Sequence, residues 1–193
     1  MKKSIAPNTV PLPAPVWVVG TYDSEGRPNV MTASWAGICC SQPPCVGVSL
    51  RKATYTYGNI VARQAYTINV PAEQHVKMAD YAGIVSGRDE DKFAGAGLTA
   101  VAGELVDAPY VEEFPVVMEC RVRHTIEIGV HTQFIGEIMG IKVDEAMLRA
   151  DGSLDVAKLG VFVLLDGYRC MGDYLAKPFS IGKEITPGAG TEA

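Results

Sequence analysis

Nothing in the chain approaches the ~20 consecutive apolar residues that a membrane-spanning helix needs. Its start, Met1-Lys2-Lys3-Ser4, runs into proline-rich sequence and not the hydrophobic stretch of a secretion signal, so a cytoplasmic protein without a membrane partner is expected. The five cysteines (Cys39, Cys40, Cys45, Cys120, Cys170) contain no C-x-x-C pair, which indicates neither a disulfide framework nor a metal site and leaves buried free thiols as the expectation. Cations are outnumbered: 17 Lys and Arg against 22 Asp and Glu give a net charge of −5, which argues against broad nucleic-acid binding while leaving room for a local basic pocket. G-x-x-x-x-G-K-[ST], H-E-x-x-H and G-x-S-x-G are all missing. The stretch Gly95 to Ala100 satisfies G-x-G-x-x-A, but the charged run Asp89 to Phe93 precedes it where a dinucleotide-binding fold needs a hydrophobic strand.

What is present reads as one domain over residues 1–193. There is no repeat of fixed period and no Ser/Gly linker, and 193 residues suffice to bury roughly 70% of the unfolded surface. Pro7, Pro11, Pro13 and Pro15 mark residues 1–15 as an extended arm, and residues 184–193 read as a frayed tail. Strand signals dominate. Val16–Tyr22 and Pro28–Trp35 flank a turn at Asp23-Ser24-Glu25-Gly26, and Val46–Arg51, Tyr66–Val70 and Val161–Leu165 follow the same style. Between Met118 and Ile128 the residues Met118, Cys120, Val122, His124, Ile126 and Ile128 alternate with Glu119, Arg121, Arg123, Thr125 and Glu127, which predicts one buried and one wet face. Gly129 breaks the pattern before a second long strand, His131–Val143. Helices are expected at Tyr57–Gln64, after Thr56, and at Ala72–Ala82, between Pro71 and Gly83. Many antiparallel strands with a few helices make a mainly β, α+β chain closed into a barrel.

Three places could carry chemistry. In Ser49-Leu-Arg51-Lys52-Ala-Thr54-Tyr-Thr56 a strand ends in two cations just before hydroxyls at a helix start, which suits a phosphate group; an ordinary Thr cap beside surface cations gives the same pattern. Ser86 to Phe93 could bring Arg88 and Lys92 to the same anion, or be a solvated loop. Thr32, Ala33, Ser34 and Trp35 end a strand beside small residues, where an open backbone edge and an indole could meet a flat ligand, although core or interface tryptophan is the commoner arrangement. His131 stands at a strand corner, His124 on an apolar face as a core or interface residue, and His75 mid-helix with no assigned role.

PNVMTASWAG, SLRKATYTYGNI followed by INV, SGRDEDKFAGAGL and GVHTQFIGEI, in that order between about Ala14 and Tyr174, resemble the flavin reductase-like family with the FMN-binding split barrel, and within it the flavoredoxins. The resemblance implies a six-stranded Greek-key barrel, dimeric, holding FMN non-covalently near the dimer interface. It implies that Thr32, Ala33, Ser34 and Trp35 lie against the isoalloxazine ring. Ser49, Arg51 and Lys52, with Thr54 and Thr56, would meet the ribityl chain and phosphate, Asn69 the flavin, and Ser86 and Lys92 the loop closing over it. His131 would stand at the mouth, where nicotinamide or another redox partner approaches. Many nicotinamide-dependent members carry G-D-H where this chain has Gly129-Val130-His131. Three functions follow: an FMN electron carrier exchanging electrons with a partner protein, an NAD(P)H-dependent flavin reductase, and a flavin-binding scaffold without turnover.

Overall fold

The computed structural model describes residues 1–9 and 13–185, so Pro11 of the arm and residues 186–193 of the tail lie outside the described residues. Seven strands form one antiparallel sheet: β1 Trp17–Tyr22, β2 Pro28–Ala33, β3 Ala36–Ser41, β4 Pro44–Arg51, β5 Ala65–Val70, β6 Val116–Ile128 and β7 His131–Val143. Their spatial order is β2-β1-β5-β6-β7-β4-β3. The two edge strands, β2 and β3, are thus neighbours in the chain, separated only by Ser34 and Trp35. Laid flat, such a sheet would put its edges roughly 29 Å apart at the ~4.8 Å strand spacing, whereas the three Cα–Cα steps from Ala33 to Ala36 reach at most about 11 Å. The sheet must therefore curl until its edges meet, giving a barrel with a slit. Beside that slit the β3–β4 ladder runs on one residue past Ala36, where the Ser49 N–H donates to the Trp35 carbonyl at 2.8 Å.

Val19, Val46, Val48, Ile68 and Phe134 fill the barrel. Within it the Tyr66 hydroxyl donates to the Val46 carbonyl at 3.0 Å, and a Cβ at Gly136 would stand 2.5 Å from that hydroxyl, so only glycine fits there. Helix α1, Tyr55–Arg63, adds Ile60 to the interior. Helices α2, Val76–Ile84, and α3, Lys92–Ala96, cover the other side of β1 and β2 with Ala79, Ala82 and Phe93. Both faces of β1 are therefore buried, which is why its sequence is a nearly continuous apolar run. Ala14 and Pro15 pair with Val163 and Leu164, anchoring the end of the proline-rich arm. Among the described residues no helix is long and apolar enough to cross a membrane.

The mainly β class is as expected, but several details differ. The sheet has seven strands where six were anticipated; β3, with Cys39 and Cys40, is largely exposed and so shows no in-out alternation. Helix α1 starts at Tyr55, capped by the Thr54 hydroxyl, two residues before the expected start. Helix α2 begins after a 3-10 turn at Glu73–His75 and runs through Gly83, which faces Thr32 across the helix–strand contact. Lys92–Ala96 is helical, with Asp91 as its cap, in what was taken for a loop. On β6 the expected wet residue Glu119 is 1% exposed, because the 103–105 loop folds over it and the Leu105 N–H donates to its carboxylate at 2.7 Å. The expected buried residues His124, Ile126 and Ile128 are exposed, because β6 runs past Arg121, its last residue paired with β5, and from there to the turn at Gly129 it pairs with β7 alone.

Two expected outcomes test this account. Asn69 is fully buried: its amide donates to the Val18 carbonyl and the Thr67 hydroxyl, both at 2.9 Å, and accepts from the Val111 N–H at 2.8 Å. Asn69→Ala strands these groups and should cost about 2–3 kcal/mol in urea unfolding; an unchanged midpoint rejects this role. Asp23 joins the β1–β2 turn to α1. Burial alone would raise its pKa, but hydrogen bonds from the Arg27 and Glu25 backbones, the Tyr55 hydroxyl and the Arg27 side chain outweigh that and lower it to about 2. Because the folded value is depressed, this stabilisation is present above the ordinary carboxylate pKa near 4 and is lost as pH falls through about 2. Asp23→Asn should flatten that part of the acid-unfolding curve, and an unaltered acid limb counts against it.

Candidate functional site

The slit opens into a cleft of about 380 Å³ lined by residues that four elements deliver to one place. Strand β2 ends in Met31, Thr32 and Ala33, and the two-residue link supplies Ser34 and Trp35. The outward row of β4 supplies Ser49 and Arg51, the α1 cap supplies Thr54, and the start of β7 supplies His131, which is Arg51's cross-strand partner. Gly83 and Leu164 complete the wall, and neither had drawn attention in the sequence: Gly83 read as a helix stop and Leu164 as part of a separate strand.

The chemistry of this lining is one-sided. No carboxylate is among the lining residues. The Arg51 guanidinium makes no hydrogen bond or ion pair with any described residue, and the Ser34 and Ser49 hydroxyls make no hydrogen bond with one. Thr54 accepts from the Tyr57 N–H at 3.3 Å while its hydroxyl donates to the Arg51 carbonyl at 2.9 Å, fixing the turn that presents Arg51. The Thr32 hydroxyl is already committed to the Ala79 carbonyl. Trp35 stands 42% exposed beside Met31 and Leu164, a flat apolar surface next to the donors. An uncommitted cation, spare hydroxyls and an aromatic wall suit an anionic, partly planar ligand with polar substituents.

Eight of the thirteen anticipated residues meet in this cleft: Thr32, Ala33, Ser34, Trp35, Ser49, Arg51, Thr54 and His131. Five line other parts of the structure. Lys52 pairs with Glu127 at 2.7 Å, and that hydrogen bond raises its pKa. Thr56 is buried inside α1's first turn, accepting from the Asn29 amide at 3.0 Å. Asn69 ties β5 to β1 and Val111 as described above. The Ser86 hydroxyl accepts from the Arg88 N–H within its own loop at 3.2 Å. Lys92 turns inward, its ammonium donating to the Ala82 carbonyl at 2.7 Å, and burial lowers its pKa to about 8.

The loop does reach the α1 start, through Arg88. Its guanidinium donates to the Ala53 carbonyl at 3.0 Å and lies 5.5 Å from the Tyr55 ring centroid. Arg88, Tyr55 and Asn29 line a second, smaller cleft of about 300 Å³, in which the buried Asn29 Oδ1 has no hydrogen-bond partner among the described residues. The basic, glycine-flanked loop was legible as a cation source; that Arg88 and not Lys92 faces outward follows from helix α3, which carries Lys92 and Phe93 into the core.

A family model described as flavin reductase like domain matches residues 10–159. Among solved structures, the flavoredoxin of Desulfovibrio vulgaris (Miyazaki F) is 56% identical with a TM-score of 0.89, covering 94% of this chain and 100% of that one. A flavoredoxin from Methanosarcina acetivorans is 30% identical with a TM-score of 0.88, covering 96% of this chain and 100% of that one. An uncharacterized protein of Archaeoglobus fulgidus is 34% identical over 130 residues, 67% of this chain and 72% of that protein. The match over residues 10–159 spans most of the chain and every strand of the curled sheet, and the chain therefore belongs to the flavin reductase like domain family.

Proposed function

We propose that this chain binds FMN non-covalently in the cleft at the slit and serves as a flavoredoxin-type electron carrier, exchanging electrons with a partner protein in the cytoplasm. The observation that carries this reading is the uncommitted Arg51 guanidinium beside Thr54 and Ser49 in a cleft without carboxylates. When bound, the flavin supplies the one- and two-electron chemistry. Arg51 would hold the phosphate, presented by the turn that the Thr54 hydroxyl fixes, the Ser49 hydroxyl would meet the ribityl chain, and the Thr32–Trp35 segment would lie along the ring edge. Trp35 and Leu164 exclude water from one side of the ring. His131 stands at the mouth.

A second reading is an NAD(P)H-dependent flavin reductase, in which His131 meets the nicotinamide. The carrier reading is favoured because exposed Val130 occupies the place before His131 where many reductases have an acid, and no lining carboxylate can orient the imidazole. A homodimer belongs to the same proposal: Ile126, Ile128 and Val130 expose apolar side chains on the β6–β7 hairpin beside the cleft, a row that a second copy of the chain would cover.

Titration of FMN-free protein, followed by flavin fluorescence, tests the pocket. Arg51→Ala should weaken FMN by about 1.5–3 kcal/mol, roughly 10- to 150-fold, through loss of charge-assisted hydrogen bonds. Lys52→Ala, whose ammonium is paired with Glu127, should change affinity less than about threefold. Equal effects of the two would reject the assignment, and failure to retain FMN through desalting would reject the function. Bleaching of the retained flavin by NADPH or NADH under anaerobic conditions would select the reductase. In sedimentation the chain should run at twice its mass, and Ile126→Asp with Ile128→Asp should return it to a monomer; a monomeric parent chain removes the dimer.

A further inference from the structure

Three of the five cysteines converge outside the cleft at the slit. Cys39 and Cys40 on β3 and Cys45 on β4 line a separate cleft of about 510 Å³, together with Arg123, His124 and Ile135, and it shares no lining residue with the first. Plain alternation would send Cys39 and Cys40 to opposite faces of their strand. A register shift between the Ile38–Val46 and Cys40–Cys45 pairs makes Cys39 an extra, bulged residue, which turns it to the side of Cys40. On β6 a second shift, between the His124–Ile135 and Val122–Gly136 pairs, does the same for Arg123. Arg123 is held there by Glu137, which is itself the cross-strand partner of Cys45. Two bulges on different strands thus gather three sulfurs, an imidazole and a guanidinium on one surface.

Cys40 and Cys45 are direct partners across the β3–β4 ladder. Cα atoms of such partners lie about 4.5–5.5 Å apart, inside the roughly 4.4–6.8 Å that a disulfide spans. Cys40 is exposed and Cys45 is buried. Burial first, then the neighbouring Cys40, Cys39 and Glu137, push the Cys45 thiol up, against the opposing pull of Arg123.

We propose that Cys40 and Cys45 form a reversible dithiol–disulfide pair whose oxidants are low-molecular-weight disulfides. The Cys40 sulfur attacks one sulfur of the small disulfide, breaking its S–S bond, releasing one thiol and leaving a mixed disulfide on Cys40. The Cys45 sulfur gives up its proton and attacks Cys40, breaking the mixed disulfide and releasing the second thiol. The two protein thiols are oxidised by the loss of two hydrogens, and the small disulfide is reduced by gaining them. The resulting bond pins β3 to β4 near the hairpin turn, at the end of the pair remote from Trp35 and Ser49. It needs no flavin, so it stands apart from the proposed function.

The test exposes the reduced chain to oxidised glutathione, quenches with an alkylating reagent, counts remaining thiols and maps the products by mass spectrometry. The parent chain should lose two thiols, carry no lasting glutathione and hold an internal link, and C39S should behave identically. C40S should form neither a link nor an adduct on Cys45, while C45S should stop at glutathione on Cys40. The exposed position of Cys40 keeps C40S informative even where C45S fails to fold. A stable glutathione adduct on the parent chain, a link that survives in C40S, a link that needs Cys39 or Cys170, or a link between two chains would each overturn the proposal.

Discussion

The tether of Ser34 and Trp35 between the two edge strands governs the rest of the molecule. Because β2 and β3 are adjacent in sequence and at opposite ends of the sheet order, the curl is imposed by chain connectivity and not by core packing alone. The same two residues lie on the slit that the curl creates, so the element that closes the barrel also forms a wall of the candidate site. β4 stands beside the tether because its ladder with β3 continues to the Ser49 to Trp35 hydrogen bond, and the β4–α1 turn follows with Arg51 and Thr54. An alteration in the length of the tether would therefore disturb the fold and the cleft together.

Buried polar groups fasten what surrounds this closure. Asn69 stitches β5 to β1 and to the Pro109–Val111 strand, Asp23 fastens the β1–β2 turn to α1, and Glu119 fastens the loop that passes over β6. Lys92 belongs to the same class. Its ammonium caps the Ala82 carbonyl near the C-terminal end of α2, where the helix dipole favours a cation, one residue before Gly83 in the cleft wall. A lysine that the sequence placed on the ligand thus acts one layer behind the wall, holding the residue that lines it.

Legibility in the sequence followed the physics of each segment. β1, β4 and β5 were readable because they pack on a continuous core, and that Thr32, Ser34, Trp35, Ser49 and Arg51 share one cleft follows from their place at strand ends next to turns. Thr54 and Thr56 could not be ranked as caps, since either hydroxyl suits a helix start and only the register of α1 decides between them. The protein partners of Asn69 and Lys92 were not legible, because polarity in a sequence reports the need for a partner without reporting which one. β3 and the two bulges left no trace, since an exposed edge strand lacks alternation and a bulge alters facing without altering composition. The apolar row of β6 was legible as a row; its exposure follows from the length of β6, which carries Ile126 and Ile128 past the end of β5.

Strand β4 is the ruler against which both clefts are set. Its pairing with β7 runs without a shift from Cys45 to Arg51, so its residues divide strictly by parity. Val46, Val48 and Leu50 enter the core, while Cys45, Gly47, Ser49 and Arg51 form one outward row. At about 3.3 Å per residue, Cys45 and Ser49 stand roughly 13 Å apart on that row. Gly47 between them leaves its place to the Gln133 side chain, which a Cβ there would approach to 3.2 Å. The irregularities that collect the thiols and Arg123 fall on β3, which adjoins β4, and on β6, which lies beyond β7, and neither strand carries a cation of the slit cleft. Regularity in β4 fixes Ser49 and Arg51, and bulges on those two other strands aim Cys39 and Arg123, so one sheet carries two chemically different surfaces without either constraining the register of the other.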